Sequence, residues 1–271
     1  MEWWMAVLLG ILQGITEWLP ISSSGHLAIF QFYFVEEEPP ILFDIILHLG
    51  SLLVILYIMR DEVRQMLVAF PKFLVNYQNF GSLKGDERLI GMIIIASIPT
   101  AIIGFTLEST ALIDVFHTEM HLVGGCLVFT GLIVWFSKDY DGDKKIDDFP
   151  IKNALVVGFF QGLAILPGVS RSGSTIAISK ILGMDPVKAA RFSFLLFIPA
   201  IMGATLLKIG QIDETIAEVG ALPLALGFLT SVVTSYFAVN ALLELIRQQK
   251  FHYFTPYCLA LGLILIFDSL N

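Results

Sequence analysis

Two short segments of this chain concentrate the side chains that could do chemistry. Residues 13–26 carry Glu17, three consecutive serines and His26. Residues 167–175 carry Arg171 among further serines and glycines. Hydroxyls, glycines and arginine are the groups with which proteins hold phosphate. We therefore interpret the two segments as parts of one anion-handling site.

The first segment offers a carboxylate that could hold a cation. Gln13 and Glu17 are four residues apart, so they share one face of a helix. An ionisable residue in an apolar segment indicates function. Oxygen ligands suit Mg²⁺ or Ca²⁺, so we predict that Glu17 and Gln13 are ligands of a divalent cation. The alternative is a glutamate that is simply solvated at the membrane interface.

Ser23 and His26 are the candidate nucleophile and base. They lie one helical turn apart, and a histidine next to a serine can act as a base or as a nucleophile. The structural alternative is that a serine only caps the following helix. Three consecutive serines followed by Gly25 exceed what a cap requires.

Arg171 is the candidate phosphate-binding cation of the second segment. Its guanidinium grips phosphate through two parallel hydrogen bonds. The alternative, an arginine that reaches to the membrane surface, is disfavoured because the residue falls at the centre of its segment. Helices that begin after both segments would aim their positive ends at the same place. The remaining residues expected around the phosphates are Ser22, Ser24, Gly25, Gly168, Ser170, Ser172, Gly173, Ser174 and Thr175.

The surrounding sequence belongs to a membrane protein. Of its 271 residues, 56% are hydrophobic and only 15% are charged, against about 25% charged in soluble domains. Four shorter apolar stretches, at 3–19, 22–35, 151–166 and 174–183, flank the two polar segments and predict two re-entrant helix–loop–helix hairpins. Six further stretches reach the ~20 residues that a bilayer requires: 41–59, 89–107, 120–137, 191–209, 221–243 and 254–270.

The two hairpins also form an internal repeat. Gly10, Gln13 and Gly14 recur as Gly158, Gln161 and Gly162, and the serines and glycine that follow recur at the same spacing. Three spans separate the copies, so the repeats have inverted topology, which commonly places a site near the membrane midplane. We predict an all-α integral membrane protein with one domain, 1–271, and with repeats at about 1–137 and 151–271.

Charge places the loops. Fourteen of the sixteen Lys and Arg residues fall on the side of loop 60–88, which the positive-inside rule makes the cytoplasmic side. Both termini are then outside.

The sequence has no basic stripe of the kind that binds nucleic acid. The two cysteines lie in apolar runs, which argues against a disulfide framework. Asp44 and His48 share a face of the first span and either line the cavity or pair with each other.

The motifs resemble the undecaprenyl-diphosphate phosphatase family of the bacitracin-resistance type. The resemblance is carried by Gln13–Glu17, the Ser-Ser-Ser-Gly-His run at 22–26, and Pro167–Thr175, and it extends over nearly the whole chain. It implies hydrolysis of undecaprenyl diphosphate to the monophosphate in the plasma membrane, with an active site facing outside. It also implies a need for Mg²⁺ or Ca²⁺ and important roles for Glu17, Ser23, His26 and Arg171. Many members have glutamate where this chain has Gln13, and an amide is the weaker ligand.

Our working hypothesis is that Ser23 attacks the terminal phosphorus with His26 as base; attack by His26 itself is the alternative. The rival function is a transporter or flippase for polyprenyl phosphate, because inverted repeats are typical of alternating access. A transporter would need anion-binding groups but no nucleophile. The expected partners are the lipid substrate and the membrane lipids, and a homodimer is compatible with the sequence.

Overall fold

The computed structural model describes residues 1–35, 40–110, 115–116 and 118–269. Within these residues the secondary structure is helical, apart from an isolated bridge between Lys144 and Met184. The acidic residues 36–38 lie outside the described ranges. The α-helices, numbered in chain order, are α1 Trp3–Thr16, α2 Ser23–Phe34, α3 Ile41–Ile58, α4 Arg60–Asn76, α5 Gly85–Glu108, α6 Met120–Phe136, α7 Ile151–Leu163, α8 Arg171–Ile181, α9 Pro186–Lys208, α10 Ile212–Val219, α11 Ala221–Arg247 and α12 Thr255–Asp268.

The all-α membrane class is confirmed. Among the described residues, five helical segments are long and apolar enough to cross a bilayer. The remaining predicted span, 120–137, corresponds to α6, whose 17 residues place it with the shorter apolar helices. The five segments are Ile41–Ile58, Gly85–Glu108, Pro186–Val219, Ala221–Arg247 and Phe251–Asp268.

The connection between α3 and α5 differs from the prediction. Residues 60–76 of the predicted loop 60–88 form helix α4. Asp61 and Glu62 lie in its first turn, where the helix dipole favours acids. Phe73 is buried while its charged residues face outward, so α4 is amphipathic. Its many charges hide the helical periodicity from a search for apolar runs. Helix α10 likewise occupies most of the connection between the predicted spans 191–209 and 221–243.

Each polar segment joins two short helices, as predicted, although the boundaries shift. The first helix of each pair ends earlier than expected, at Thr16 and at Leu163. The second helices begin at Ser23 and at Arg171. Arg171 is therefore the first residue of α8 and not a residue of the connecting loop.

The tips of the two pairs touch, as the interpretation of the two segments as parts of one site requires. The amide of Gly168 donates to Ser22 Oγ at 3.1 Å. A Cβ added to Gly25 would lie 2.9 Å from Gly168 Cα, so this glycine permits the close approach. Ser172 Oγ also donates to the Leu19 carbonyl at 3.2 Å.

Close packing against α11 fixes the first pair. A Cβ on Gly10 or on Gly14 would lie 2.1 or 2.0 Å from a threonine hydroxyl of α11, so these helices meet backbone to backbone through small residues. On its other side, α11 binds α3, because Ser231 Oγ donates to the Leu47 carbonyl at 2.7 Å. Helices α1, α11 and α3 thereby hold the residue after α1, Glu17, beside the first span.

Candidate active site

Glu17 is the centre of the site. It directly follows α1, and only 4% of its side chain is exposed. Its Oε1 accepts from Arg171 at 2.6 Å. Its Oε2 accepts from Ser23 Oγ at 2.6 Å and from Gln13 Nε2 at 2.9 Å, and His48 Nε2 lies 3.2 Å from the same oxygen. A buried carboxylate needs such partners, since an unpaired charge in this environment would be very costly.

Arg171 joins the second pair to the first. Besides its bond to Glu17, its Nη1 donates to the Ser193 carbonyl at 3.4 Å. Its guanidinium lies over the rings of Phe197, at 4.1 Å, and of Trp18, at 5.4 Å, as cation–π contacts require. The aromatic rings fix the plane of the guanidinium, and its side chain remains 12% exposed. An anion that enters between the tips would meet this group.

Ser23 directs its hydroxyl at Glu17. Ser23 is the first residue of α2, and 9% of its surface is exposed. Its hydroxyl donates to Glu17 Oε2 at 2.6 Å, within the 2.6–3.2 Å reach that a general base needs. The structure therefore gives Ser23 an oxygen acceptor as its neighbour.

His26 faces away from Ser23. Its Nδ1 lies 2.7 Å from the Ser22 carbonyl, which can only accept, so Nδ1 carries a hydrogen. Its Nε2 lies 2.6 Å from the hydroxyl of Tyr257, and the two rings are parallel at 5.7 Å. Within the described residues, no hydrogen bond joins His26 to Ser23. The hypothesis that His26 is the base for Ser23 thus lacks the expected contact, because both ring nitrogens have other partners.

Several predicted phosphate-binding residues have structural partners. Ser22 and Ser170 cap α2 and α8: each side chain accepts from the glycine amide three residues on, at 3.2 and 3.0 Å. The capping alternative, which was raised for the serines of the first segment, is confirmed for Ser22, and Ser170 makes the same cap in the second segment. The two caps differ in backbone conformation. Ser170 has φ −71°, whereas Ser22 has φ 69°, which is unusual for a residue other than glycine.

The other hydroxyls of the two segments fall into three groups. Ser24 and Ser172 each lie 3.3 Å from the preceding capping serine. Thr175 lies 2.5 Å from Ser193 Oγ, beneath Arg171. The hydroxyl of Ser174 is buried without a partner in the described part of the chain.

Two residues of the site were missed or misjudged from the sequence. His48 was expected to line the cavity or to pair with Asp44. The bond between them runs from His48 Nδ1 to the backbone carbonyl of Asp44, while the Asp44 carboxylate accepts from Gln31 at 3.1 Å. Tyr257 was missed entirely, because a tyrosine in a span far along the chain carries no signal of its contact with His26.

The donors available for a metal are few. Among the described residues, no group of three or more His, Cys, Asp or Glu side chains could hold an ion. Glu17 is the carboxylate at the tips, and Gln13 Oε1 is buried with no hydrogen-bond partner in the described structure. Carboxylate and amide oxygens are of the type that binds a hard cation such as Mg²⁺ beside phosphate and water oxygens. The Gln13 amide, however, faces Glu17 with Nε2, 2.9 Å from Oε2, so it would have to turn for both oxygens to face one ion. The two oxygens do not form a complete cage.

Comparison with known proteins relates the sequence to one family. A family model described as "Bacitracin resistance protein BacA" matches residues 6–264. The chain is 40% identical over 276 residues to a protein of Desulforapulum autotrophicum named undecaprenyl-diphosphatase, covering 98% of each chain. It is 41% identical over 270 residues to the protein of that name from Desulfosudis oleivorans, covering 97% of each. The protein of that name from Treponema denticola is 36% identical over 263 residues.

Proposed function

The chain belongs to the bacitracin resistance protein BacA family, and we propose that it hydrolyses undecaprenyl diphosphate to the monophosphate and inorganic phosphate. The observation that carries the proposal is the contact of Ser23 Oγ with Glu17 Oε2, next to Arg171. A protein that only transported a polyprenyl phosphate would need the arginine but not a hydroxyl held against a carboxylate. The comparisons also give no support to a transporter.

Substrate binding would engage the surface between the two tips. The prenyl tail lies among the apolar helices, and the diphosphate faces Arg171, which is 12% exposed. Phosphate and Glu17 compete for hydrogen bonds from the guanidinium. We infer that at least one N–H group of Arg171 turns from Glu17 to the phosphate when the substrate binds. Charge that develops on the terminal phosphoryl group is then stabilised by a preorganised cation.

The chemical step follows from the direction of the Ser23 hydroxyl. Ser23 Oγ attacks the terminal phosphorus, and its proton passes to Glu17 Oε2. The bond between that phosphorus and the bridging oxygen breaks, so undecaprenyl monophosphate leaves and a phosphoserine remains. Glu17 passes the serine proton to the departing monophosphate, so the carboxylate is ionised again. Water then attacks the phosphorus of the phosphoserine and gives a proton to Glu17, which returns it to Ser23 Oγ as the bond between Ser23 and phosphorus breaks. Inorganic phosphate leaves, and Ser23 and the carboxylate are restored. Attack by His26 remains the alternative route, and it requires His26 to leave Tyr257.

A divalent cation, Mg²⁺ or Ca²⁺, is part of the proposal. Glu17 and the unpartnered Oε1 of Gln13 would hold it. When bound, such an ion neutralises phosphate charge and aligns the diphosphate. Because Gln13 supplies a neutral oxygen, we expect weaker cation binding than with two carboxylates.

The membrane arrangement is proposed in the same way. We infer six spans with α1–α2 and α7–α8 as oppositely inserted re-entrant pairs in an inverted repeat. The short length of α1 and α7, 14 and 13 residues, supports this arrangement, since about 20 residues are needed to cross. The distribution of basic residues supports termini outside the plasma membrane, and an outward-facing site is part of the same inference. Labelling of single introduced cysteines from each side of intact cells tests the orientation.

The function is tested by phosphate release from undecaprenyl diphosphate by the purified protein. We expect release by the wild type, loss on treatment with a chelator, recovery with added Mg²⁺ or Ca²⁺, and loss in Arg171→Ala. Arg191→Ala is the matched control, because Arg191 pairs with Glu62 at an exposed position. Absence of phosphate release by the folded wild type with either cation would overturn the proposal.

A further inference from the structure

We propose that His48 is a positioning residue that holds Glu17 in its working orientation while Arg171 binds the phosphate. The inference rests on the proposed roles of Glu17 and Arg171. It assigns a task to a residue of the first span, which lies outside both polar segments.

The division of donors between the two oxygens of Glu17 carries the inference. Oε1 has Arg171 as its partner. If the guanidinium turns to the phosphate, this oxygen loses the bond and is free for the proposed cation, while the donors to Oε2 keep the carboxylate in its orientation. Ser23 is one of these, but its hydrogen leaves during the reaction. Of the donors to Oε2 in the described structure, His48 comes from outside the first polar segment, so it can anchor the carboxylate to the body of the protein.

The ring of His48 is oriented for this task. Its Nδ1 lies 2.7 Å from the carbonyl of Asp44, one turn earlier in α3, and a carbonyl can only accept. Nδ1 therefore carries a hydrogen, and Nε2 is directed at Glu17 Oε2 at 3.2 Å. A lone pair facing a carboxylate would be repelled, so the contact also requires a hydrogen between Nε2 and Oε2. Histidine ligands elsewhere are fixed in the same way by a carbonyl on the second nitrogen.

The helix that carries His48 is itself held in register with Glu17. A Cβ on Gly50 would lie 2.8 Å from the Phe228 carbonyl of α11, which shows how closely α3 approaches. Ser51 Oγ lies 2.9 Å from Ser235 Oγ, and the same Ser235 hydroxyl donates to the Gly14 carbonyl of α1 at 3.4 Å. One serine of α11 thus links α3 to α1, three residues before Glu17. This chain of contacts sets the distance that the His48 bond must span.

The experiment compares four variants of the full-length protein by steady-state phosphate release from undecaprenyl diphosphate. His48→Phe keeps a ring and removes both donors, so we expect kcat to fall about 10- to 100-fold, the range for residues that orient a site ligand, with KM within about threefold. His48→Gln keeps one N–H at similar reach and should restore most of kcat. His48→Asn carries the same amide on a shorter chain and should not. His121→Ala is the control, because His121 pairs with Glu119 at an exposed position.

The outcomes separate positioning from a structural role. A residue needed only for packing would lower the thermal midpoint, and Gln and Asn would behave alike. Equal kcat for His48→Gln and His48→Asn, unchanged kcat in His48→Phe, or a loss confined to KM would each overturn the inference. If His48→Phe does not fold, the Gln and Asn pair still decides. Glu17→Gln is measured in the same assay. If its kcat equals that of the wild type, the proposed role of Glu17 is refuted. If Glu17→Gln is inactive while His48→Phe keeps the wild-type kcat, only the His48 inference is refuted.

Discussion

The hydroxyl of Ser23 donates to the carboxylate of Glu17 across 2.6 Å, although the two residues lie at the ends of different helices. Glu17 follows α1 and Ser23 begins α2, so the turn between these helices brings them together. The same carboxylate binds Arg171 of the second pair. The proposed nucleophile and the proposed phosphate-binding cation therefore meet at one carboxylate, which is the proposed proton acceptor.

Replacement of Ser23 should stop turnover while the fold persists. In Ser23→Ala the nucleophilic oxygen is lost, and we expect phosphate release to fall at least about 10³-fold, as for other enzymes that lose a nucleophile. Steady-state assays of purified protein provide the measurement. Ser24→Ala is the control, since the Ser24 hydroxyl contacts only Ser22 in the described structure, and it should keep activity within about tenfold.

Arg171 should not be replaceable by lysine. Lys keeps the charge but lacks the planar fork and the stacking on Phe197. We expect Arg171→Lys to lower kcat/KM by about 10³-fold, the scale found for transition-state arginines in phosphoryl transfer. Arg191→Lys, at the exposed Glu62 pair, should behave as wild type. Activity of Arg171→Lys close to wild type would show that charge alone suffices.

The hydrogen bond between Tyr257 and His26 predicts a smaller effect. Tyr257→Phe keeps the parallel ring and removes the hydroxyl that lies 2.6 Å from His26 Nε2. Loss of one such bond corresponds to about 2- to 10-fold in rate, and phosphate release measures it. Tyr253→Phe, on a residue that is 62% exposed, serves as control. A loss of 10³-fold or more in Tyr257→Phe would give the tyrosine a direct part in the chemistry.

Gly168 should be essential to the second tip. Its φ of 97° is unfavourable for residues with a side chain, and a Cβ there would lie 2.4 Å from the Val123 carbonyl. We expect Gly168→Ala to destabilise the protein by at least about 1–3 kcal/mol, visible as a lower thermal midpoint in detergent. Gly203→Ala is the control, because among the described residues no atom outside its own stretch of helix lies within 4 Å of an added Cβ. Equal midpoints for the two variants would contradict the close packing of the tip.

The sequence predicted those parts of the site that depend on local spacing. Gln13 and Glu17 were expected on one helix face, and their side chains do bond at 2.9 Å. The meeting of the two tips was predicted from their shared pattern and is confirmed by the bond from Gly168 to Ser22. Roles assigned from neighbours in sequence fared less well, because a spacing of three residues does not show where a ring points. His26, for example, was expected to face Ser23 but contacts Tyr257.

Contacts made by the packing of distant helices could not be predicted. His48 reaches Glu17 because α3 packs on α11 and α11 packs on α1, an arrangement that no local pattern encodes. The amphipathic helix α4 was read as a loop, since only its apolar content was weighed and not its helical period. The cation, by contrast, remains a prediction that rests on Glu17 and Gln13.

The most direct test of the account is to find where the phosphate goes. Purified protein is mixed with undecaprenyl diphosphate, quenched within the first turnover, digested and examined by mass spectrometry under conditions that preserve both phosphoserine and phosphohistidine. We predict a phosphate on Ser23 that appears and decays at rates compatible with turnover, and its absence in Ser23→Ala. Phosphate on His26 in an active wild-type protein, with Ser23 unmodified throughout, would contradict the account.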